Sequence, residues 1–260
     1  MIDKKIEQKK IHKSLFILPS FFTLLNMIMG YYAIIAALDS KWIVSAVVIT
    51  IAVLMDGLDG RIARFTNTTT EFGLNFDSIV DVISFGVAPA VVAYLYCLRN
   101  LTDFKHLGWL LSFIFVAAGA IRLARFNVYA RTDMPNTYFI GLPIPGAAGL
   151  LSTIIWIYER FLTNIIIAQN YKNRIFVITV LILSVLMISK VRYYSFKKVK
   201  ILYKKPIFLI ITIFIVLYLL FVYPSILLFS IGFLYVISGP IRTIFSYQDI
   251  LIEKILFFNM

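Results

Sequence analysis

Residues 56–81 read DGLDGRIARFTNTTTEFGLNFDSIVD, placing four aspartates inside a chain that is 61% hydrophobic. A carboxylate in an apolar medium is costly unless cations or hydrogen bonds offset its desolvation. The spacing supplies a reason to keep four of them. Asp56 and Asp59 stand three apart and Asp77 and Asp81 four apart, separations that put side chains on one face of a helix. Two such helices facing each other make an oxygen-rich cage suited to one or two hard divalent cations. A single aspartate such as Asp77 could instead cap a helix N-terminus, but four at paired helical spacing are not explained that way.

The surrounding composition says what medium the cage sits in. Soluble domains run at about 45–50% apolar residues, whereas this 260-residue chain has a mean hydropathy of +0.90 and 16% aromatic residues. It reads as an all-α integral membrane protein. The single cysteine, Cys97, lies in an apolar run, excludes an intramolecular disulfide and reads as a buried small hydrophobe. His12 and His106 fall away from the aspartates and are not candidate ligands.

Apolar runs near 15–38, 42–64, 76–98, 107–127, 138–157, 174–190, 206–223 and 225–240 are long enough to predict about eight transmembrane helices. The first run exceeds a signal-peptide core and is kept as a span. With the N-terminus in the cytoplasm, only Lys41, Arg99, Lys105, Arg160, Lys172 and Arg174 face the opposite side, out of 25 lysines and arginines. That asymmetry fits the positive-inside rule. It puts the aspartates at the cytoplasmic ends of spans two and three. It also explains the net charge of +12 by topology and membrane headgroups, with no nucleic-acid motif in sight. A transport pathway would spread acids through the membrane and repeat broken helices, whereas here the acids gather at one boundary and no repeat is visible.

The spacing of Asp56, Asp59, Gly60, Ala63, Arg64, Gly73, Asp77 and Asp81 matches, without departure, the signature D-x2-D-G-x2-A-R-x8-G-x3-D-x3-D of the CDP-alcohol phosphatidyltransferases, which this chain therefore resembles. The blocks FDSIVDVISFGVAPA (76–90), IRLARFNV (121–128), FIGLPIPGAAGLL (139–151) and SFKK (195–198) are similar to those of membrane-embedded bacterial phosphatidylserine synthases. So is ILPSFFTLLN (17–26), although Ser20 stands where asparagine often follows the proline.

The resemblance implies a six-helix core within 15–190, preceded by a basic cytoplasmic segment (1–14) and followed by a basic loop and two further helices (191–260). It implies transfer of a phosphatidyl group from CDP-diacylglycerol to L-serine with release of CMP, two Mg²⁺ or Mn²⁺ ions, a homodimer, and a multi-pass place in the inner membrane with the active site facing the cytoplasm. Asp56, Asp59, Asp77 and Asp81 are then the metal ligands, with Asp81 also the base that takes the proton of the acceptor hydroxyl. Gly60, Ala63, Arg64 and Gly73 would serve the nucleotide and its phosphates. Physically, a glycine or alanine at 60 and 63 permits close approach of a ligand to the helix, and an arginine offers phosphate a planar fork.

The signature fixes donor and reaction but not the alcohol; glycerol 3-phosphate, inositol or inositol phosphate as acceptor, or an archaeal-type lipid donor, would use the same cage. Serine offers a carboxylate and an ammonium group. Arg122 and Arg125, three apart at the cytoplasmic end of the fourth span, are the candidates to meet its carboxylate or the donor phosphates; positive-inside flanking is the plain alternative. Asn127 is a weaker candidate. The longer blocks favour serine.

Overall fold

The computed structural model describes residues 21–65, 71–101, 107–130, 138–194 and 206–258, with backbone alone at 58–65, 129–130, 138–139, 167–170, 194, 206–210, 213 and 244–258. Helices account for nearly all of it. In chain order they are α1 (Phe21–Leu38), α2 (Trp42–Phe65), α3 (Glu71–Asp81), α4 (Ala88–Tyr96), α5 (Leu107–Ala130), α6 (Ile144–Ile157), α7 (Ile166–Ile188), α8 (Pro206–Val222) and α9 (Pro224–Phe258). Strands β1 (Tyr138–Ile140) and β2 (Arg192–Tyr194) form a short antiparallel pair, with Phe139 opposite Tyr193. That pair departs from the all-helical expectation and joins two loops on the cytoplasmic side of the expected topology.

The rods fall on the expected spans in order. Among the described residues five are long and apolar enough to cross a bilayer: Phe21–Leu38, Glu71–Asn100, Leu107–Val128, Tyr171–Ile188 and Pro224–Thr243, with Trp42–Gly57 a shorter apolar helix. The protein is thus an all-α, multi-pass membrane protein, while the count of eight crossings goes beyond these five. The outer surface agrees: Trp109, Phe113, Val185, Phe214, Phe221 and Leu234 are more than half exposed, the arrangement a lipid solvent allows and water does not.

Two departures bear on the site. First, the one rod expected near 76–98 is present as α3 and α4, but it is interrupted by a π-helical stretch at Val82–Val87 that starts immediately after Asp81. Such a stretch widens the helix by a residue and is common beside functional groups. It carries buried Ser84, whose Oγ donates to the Asn26 carbonyl of α1 at 3.1 Å. Helix α1 comes this close because position 30 is glycine; a Cβ there would stand 2.7 Å from Ser84 Cα. Second, α9 does not stop near 240 but runs through Pro240 to Phe258. A proline inside a helix strips the carbonyl four residues back of its donor, here Val236. The hydroxyl of the fully buried Tyr193 donates to that carbonyl at 3.2 Å, removing a penalty of about 1–3 kcal/mol for a buried unmade bond.

Helix α6 is the centre of the bundle. Gly149 faces Val53 of α2, Gly146 faces Tyr235 of α9, and the buried Ile144 fills the space under Gly86 and Gly119. The end of the bundle away from the aspartates is closed by aromatic rings: Tyr96 packs edge-on against Trp42, Tyr158 and Phe176, with Lys172 Nζ 3.4 Å above the Tyr96 ring. Cys97 lies buried beside them and its thiol donates to the Ala93 carbonyl at 3.3 Å, which bears out its reading as a small core residue. The basic loop 195–205 and both histidines lie outside the described residues.

Candidate active site

Depth along the helices brings the acids together. Asp56 lies nine residues before the end of α2, while Asp77 and Asp81 lie six and ten residues after the start of α3. At about 1.5 Å per residue the three sit at nearly one level of two antiparallel helices. Their geometry follows: one carboxylate oxygen from each of Asp56, Asp77 and Asp81 lies within 4.8 Å of the others. Asp81 is buried and the other two are half-buried. Asp59 is on α2 one turn beyond Asp56, and Gly60, Ala63 and Arg64 follow on the same helix, but their side chains lie outside those described. Gly73 is in the first turn of α3.

Oxygens converging from three carboxylates are the donor set of a hard cation, and their mutual repulsion in a partly buried place is what such a cation relieves. The residues present therefore fit a divalent ion of the Mg²⁺ or Mn²⁺ kind, and they fit less well a soft ion that prefers sulfur or imidazole.

The structure gives the two arginines on α5 different surroundings. Arg122 is 5% exposed and interacts electrostatically with both Asp81 and Tyr235; its guanidinium also lies 5.2 Å from the Phe126 ring centroid. Arg125 turns instead to main chain. Its Nη1 donates to the Ile188 carbonyl at 2.9 Å, and its Nη2 lies within 3.3 Å of the carbonyls of Ile140, Met187 and Ser189. Those carbonyls are the open end of α7 and the end of β1, so Arg125 caps a helix terminus that would otherwise leave its acceptors unsatisfied. Gly141 makes room for the knot. Its φ is +79°, and a Cβ would stand 2.7 Å from Arg125 Nη2. Asn127 is likewise engaged, its Nδ2 donating to Ser78 Oγ at 2.9 Å. Both line a largely apolar groove of about 360 Å³ between α3 and α5.

Two further polar residues were not among the sequence candidates. Asn26, fully buried on α1, has neither side-chain amide atom hydrogen-bonded among the described residues; a lone amide in an apolar span was the available signal. Tyr235 of α9 is the other, and nothing in the local pattern of α9 distinguishes it from its apolar neighbours.

A bundle of apolar helices with acids gathered at one level of the membrane defines a polytopic membrane protein built around an anionic, cation-fitting site. Residues 16–176 match the CDP-alcohol phosphatidyltransferase family, and the chain belongs to it. It is 38% identical to the CDP-diacylglycerol–serine O-phosphatidyltransferase of Helicobacter pylori (strain ATCC 700392 / 26695) over 92% of its own length and 96% of the relative's. It is also 36% identical to the archaetidylserine synthase of Methanothermobacter thermautotrophicus, over 74% of this chain and 73% of that protein. A third relative, the CDP-diacylglycerol–serine O-phosphatidyltransferase of Methanocaldococcus jannaschii, is 35% identical over 68% of this chain and 73% of its own.

Proposed function

We propose that the protein is an enzyme that transfers the phosphatidyl group of CDP-diacylglycerol to the hydroxyl of L-serine, giving phosphatidylserine and CMP. The observation that carries this reading is similarity along nearly the whole chain, 92%, to a relative named for that reaction. The anionic site at one level of the bundle is what the chemistry needs.

The reaction exchanges a phosphoanhydride bond for a phosphoester. The serine oxygen attacks the lipid-side phosphorus, the bond from that phosphorus to the bridging oxygen breaks, and CMP leaves with the electron pair. Asp56, Asp59, Asp77 and Asp81 would hold divalent cations, which would supply charge neutralisation for the pyrophosphate and the leaving group. Asp81 accepts the proton of the serine hydroxyl as the new bond forms. Gly60, Ala63 and Gly73 leave the space in which nucleotide and phosphates approach the backbone, and Arg64 pairs with phosphate. Arg122, which interacts electrostatically with Asp81, pairs with the serine carboxylate. Arg125 acts as a positioning residue, fixing the end of α5 to α7 and β1. The protein works as a homodimer in the cytoplasmic membrane, with nucleotide and serine entering from the cytoplasm and lipid tails from the bilayer.

An acceptor panel tests the reading. Purified protein given CDP-diacylglycerol should release CMP with serine, but not with glycerol 3-phosphate, inositol or inositol phosphate, and the lipid formed should be phosphatidylserine. Release driven by another alcohol, with serine inert, would overturn it.

A further inference from the structure

We propose that α9 forms part of the acceptor pocket and that Tyr235 is a positioning residue that holds Arg122 towards Asp81. The inference rests on the serine reading above, and concerns how this chain builds the acceptor side of the site.

A donor shared by a whole family calls for shared residues, whereas a particular acceptor needs groups elsewhere. The match to the family ends at residue 176, well before α9. Yet α9 is no peripheral anchor. It lies along α6, with Gly232 against Leu150 and the Tyr235 ring 3.4 Å from the point where a Cβ on Gly146 would stand. From there Tyr235 interacts electrostatically with Arg122, which interacts in the same way with Asp81. One residue of α9 thus interacts with Arg122, the one buried cation among the described residues.

The position of Tyr235 is itself secured. Its ring packs against Tyr193, with centroids 5.5 Å apart. Tyr193 is wedged against Gly239, where any Cβ would strike the ring, and bonds the Val236 carbonyl that Pro240 leaves without a donor. One strand residue therefore locks the helix one turn beyond Tyr235. The same strand pairs with β1, whose last residue, Ile140, accepts from Arg125. Arg125 ties α5 to this frame, and Tyr235 returns from the frame to Arg122, three residues away on α5. The frame fixes both ends of one turn of α5.

The tests are serine and CDP-diacylglycerol titrations on full-length protein in lipid nanodiscs, reading CMP release. Tyr235→Ala should raise the KM for serine about tenfold or more and leave the KM for the donor within twofold. Tyr235→Phe, which keeps the ring against Gly146 and Tyr193, should recover most of the loss but retain a rise of about threefold. Arg122→Ala should raise the serine KM more than either, and adding Tyr235→Ala to it should have almost no further effect, since the tyrosine acts through the arginine. Equal changes in both KM values, or multiplicative effects in the double variant, would overturn the proposal and leave α9 a packing element. If Tyr235→Ala does not fold, an unchanged serine KM in Tyr235→Phe overturns it alone. Wild-type protein that releases no CMP with serine would refute the serine reading itself, which keeps the two failures distinct.

Discussion

Asp81→Asn is expected to lower CMP release at least about 1,000-fold, at the upper part of the range for loss of a positioned base, while CDP-diacylglycerol still binds with an affinity within several-fold of wild type. The reasoning is geometric. Asp81 is the buried member of the three-carboxylate cluster, it interacts with Arg122, and it lies immediately before the π-helical stretch that widens its helix. Asparagine keeps the shape and one carbonyl oxygen but cannot accept the hydroxyl proton. Rapid-quench measurement of CMP, alongside equilibrium binding of the donor, separates the two effects. Loss of donor binding in proportion to the rate would make Asp81 a ligand only.

The second large effect concerns cations. Exhaustive chelation should reduce activity to background, because the developing charge on the departing CMP would have no counter-charge in a site built of carboxylates. Mg²⁺ or Mn²⁺ should restore it, and Zn²⁺ should do so poorly, given an all-oxygen donor set. Asp77→Asn should raise the Mg²⁺ concentration for half-maximal rate at least about tenfold, the equivalent of about 1.4 kcal/mol of lost affinity. Titrating the ion at saturating donor and serine measures this. Full activity after chelation, with no ion carried by the purified protein, would remove the cation from the account.

The cluster was legible because helical periodicity converts sequence spacing into proximity. With 42–64 and 76–98 helical, the spacing puts each pair of aspartates on one helix face, and among the described side chains Asp56, Asp77 and Asp81 converge. The medium was legible as well, since nothing but lipid suits so apolar an exterior. What the pattern could not hold was contact between distant segments. Arg122 and Arg125 look alike in sequence, yet one interacts electrostatically with Asp81 and the other donates to the open carbonyls at the end of α7, a target that has no side-chain signature. The run of α9 through Pro240 was hidden for the same reason. The residue that makes the proline tolerable, Tyr193, lies some forty residues upstream and supplies the missing donor from another element. Tyr235 gains its importance only once α9 is laid along α6. The family signature led to the donor side; for the acceptor side the sequence offered Arg122 and Arg125 alike, and only packing gives them different surroundings.

The central claim is one displacement: serine attacks the lipid-side phosphorus directly, with Asp81 taking its proton. The stereochemical course at that phosphorus tests it most directly, using CDP-diacylglycerol made chiral there by isotopic or sulfur substitution. A single in-line attack inverts the configuration, and inversion in the phosphatidylserine formed is the predicted result. Retention would require two displacements through a covalent phosphatidyl-enzyme, and would contradict the account.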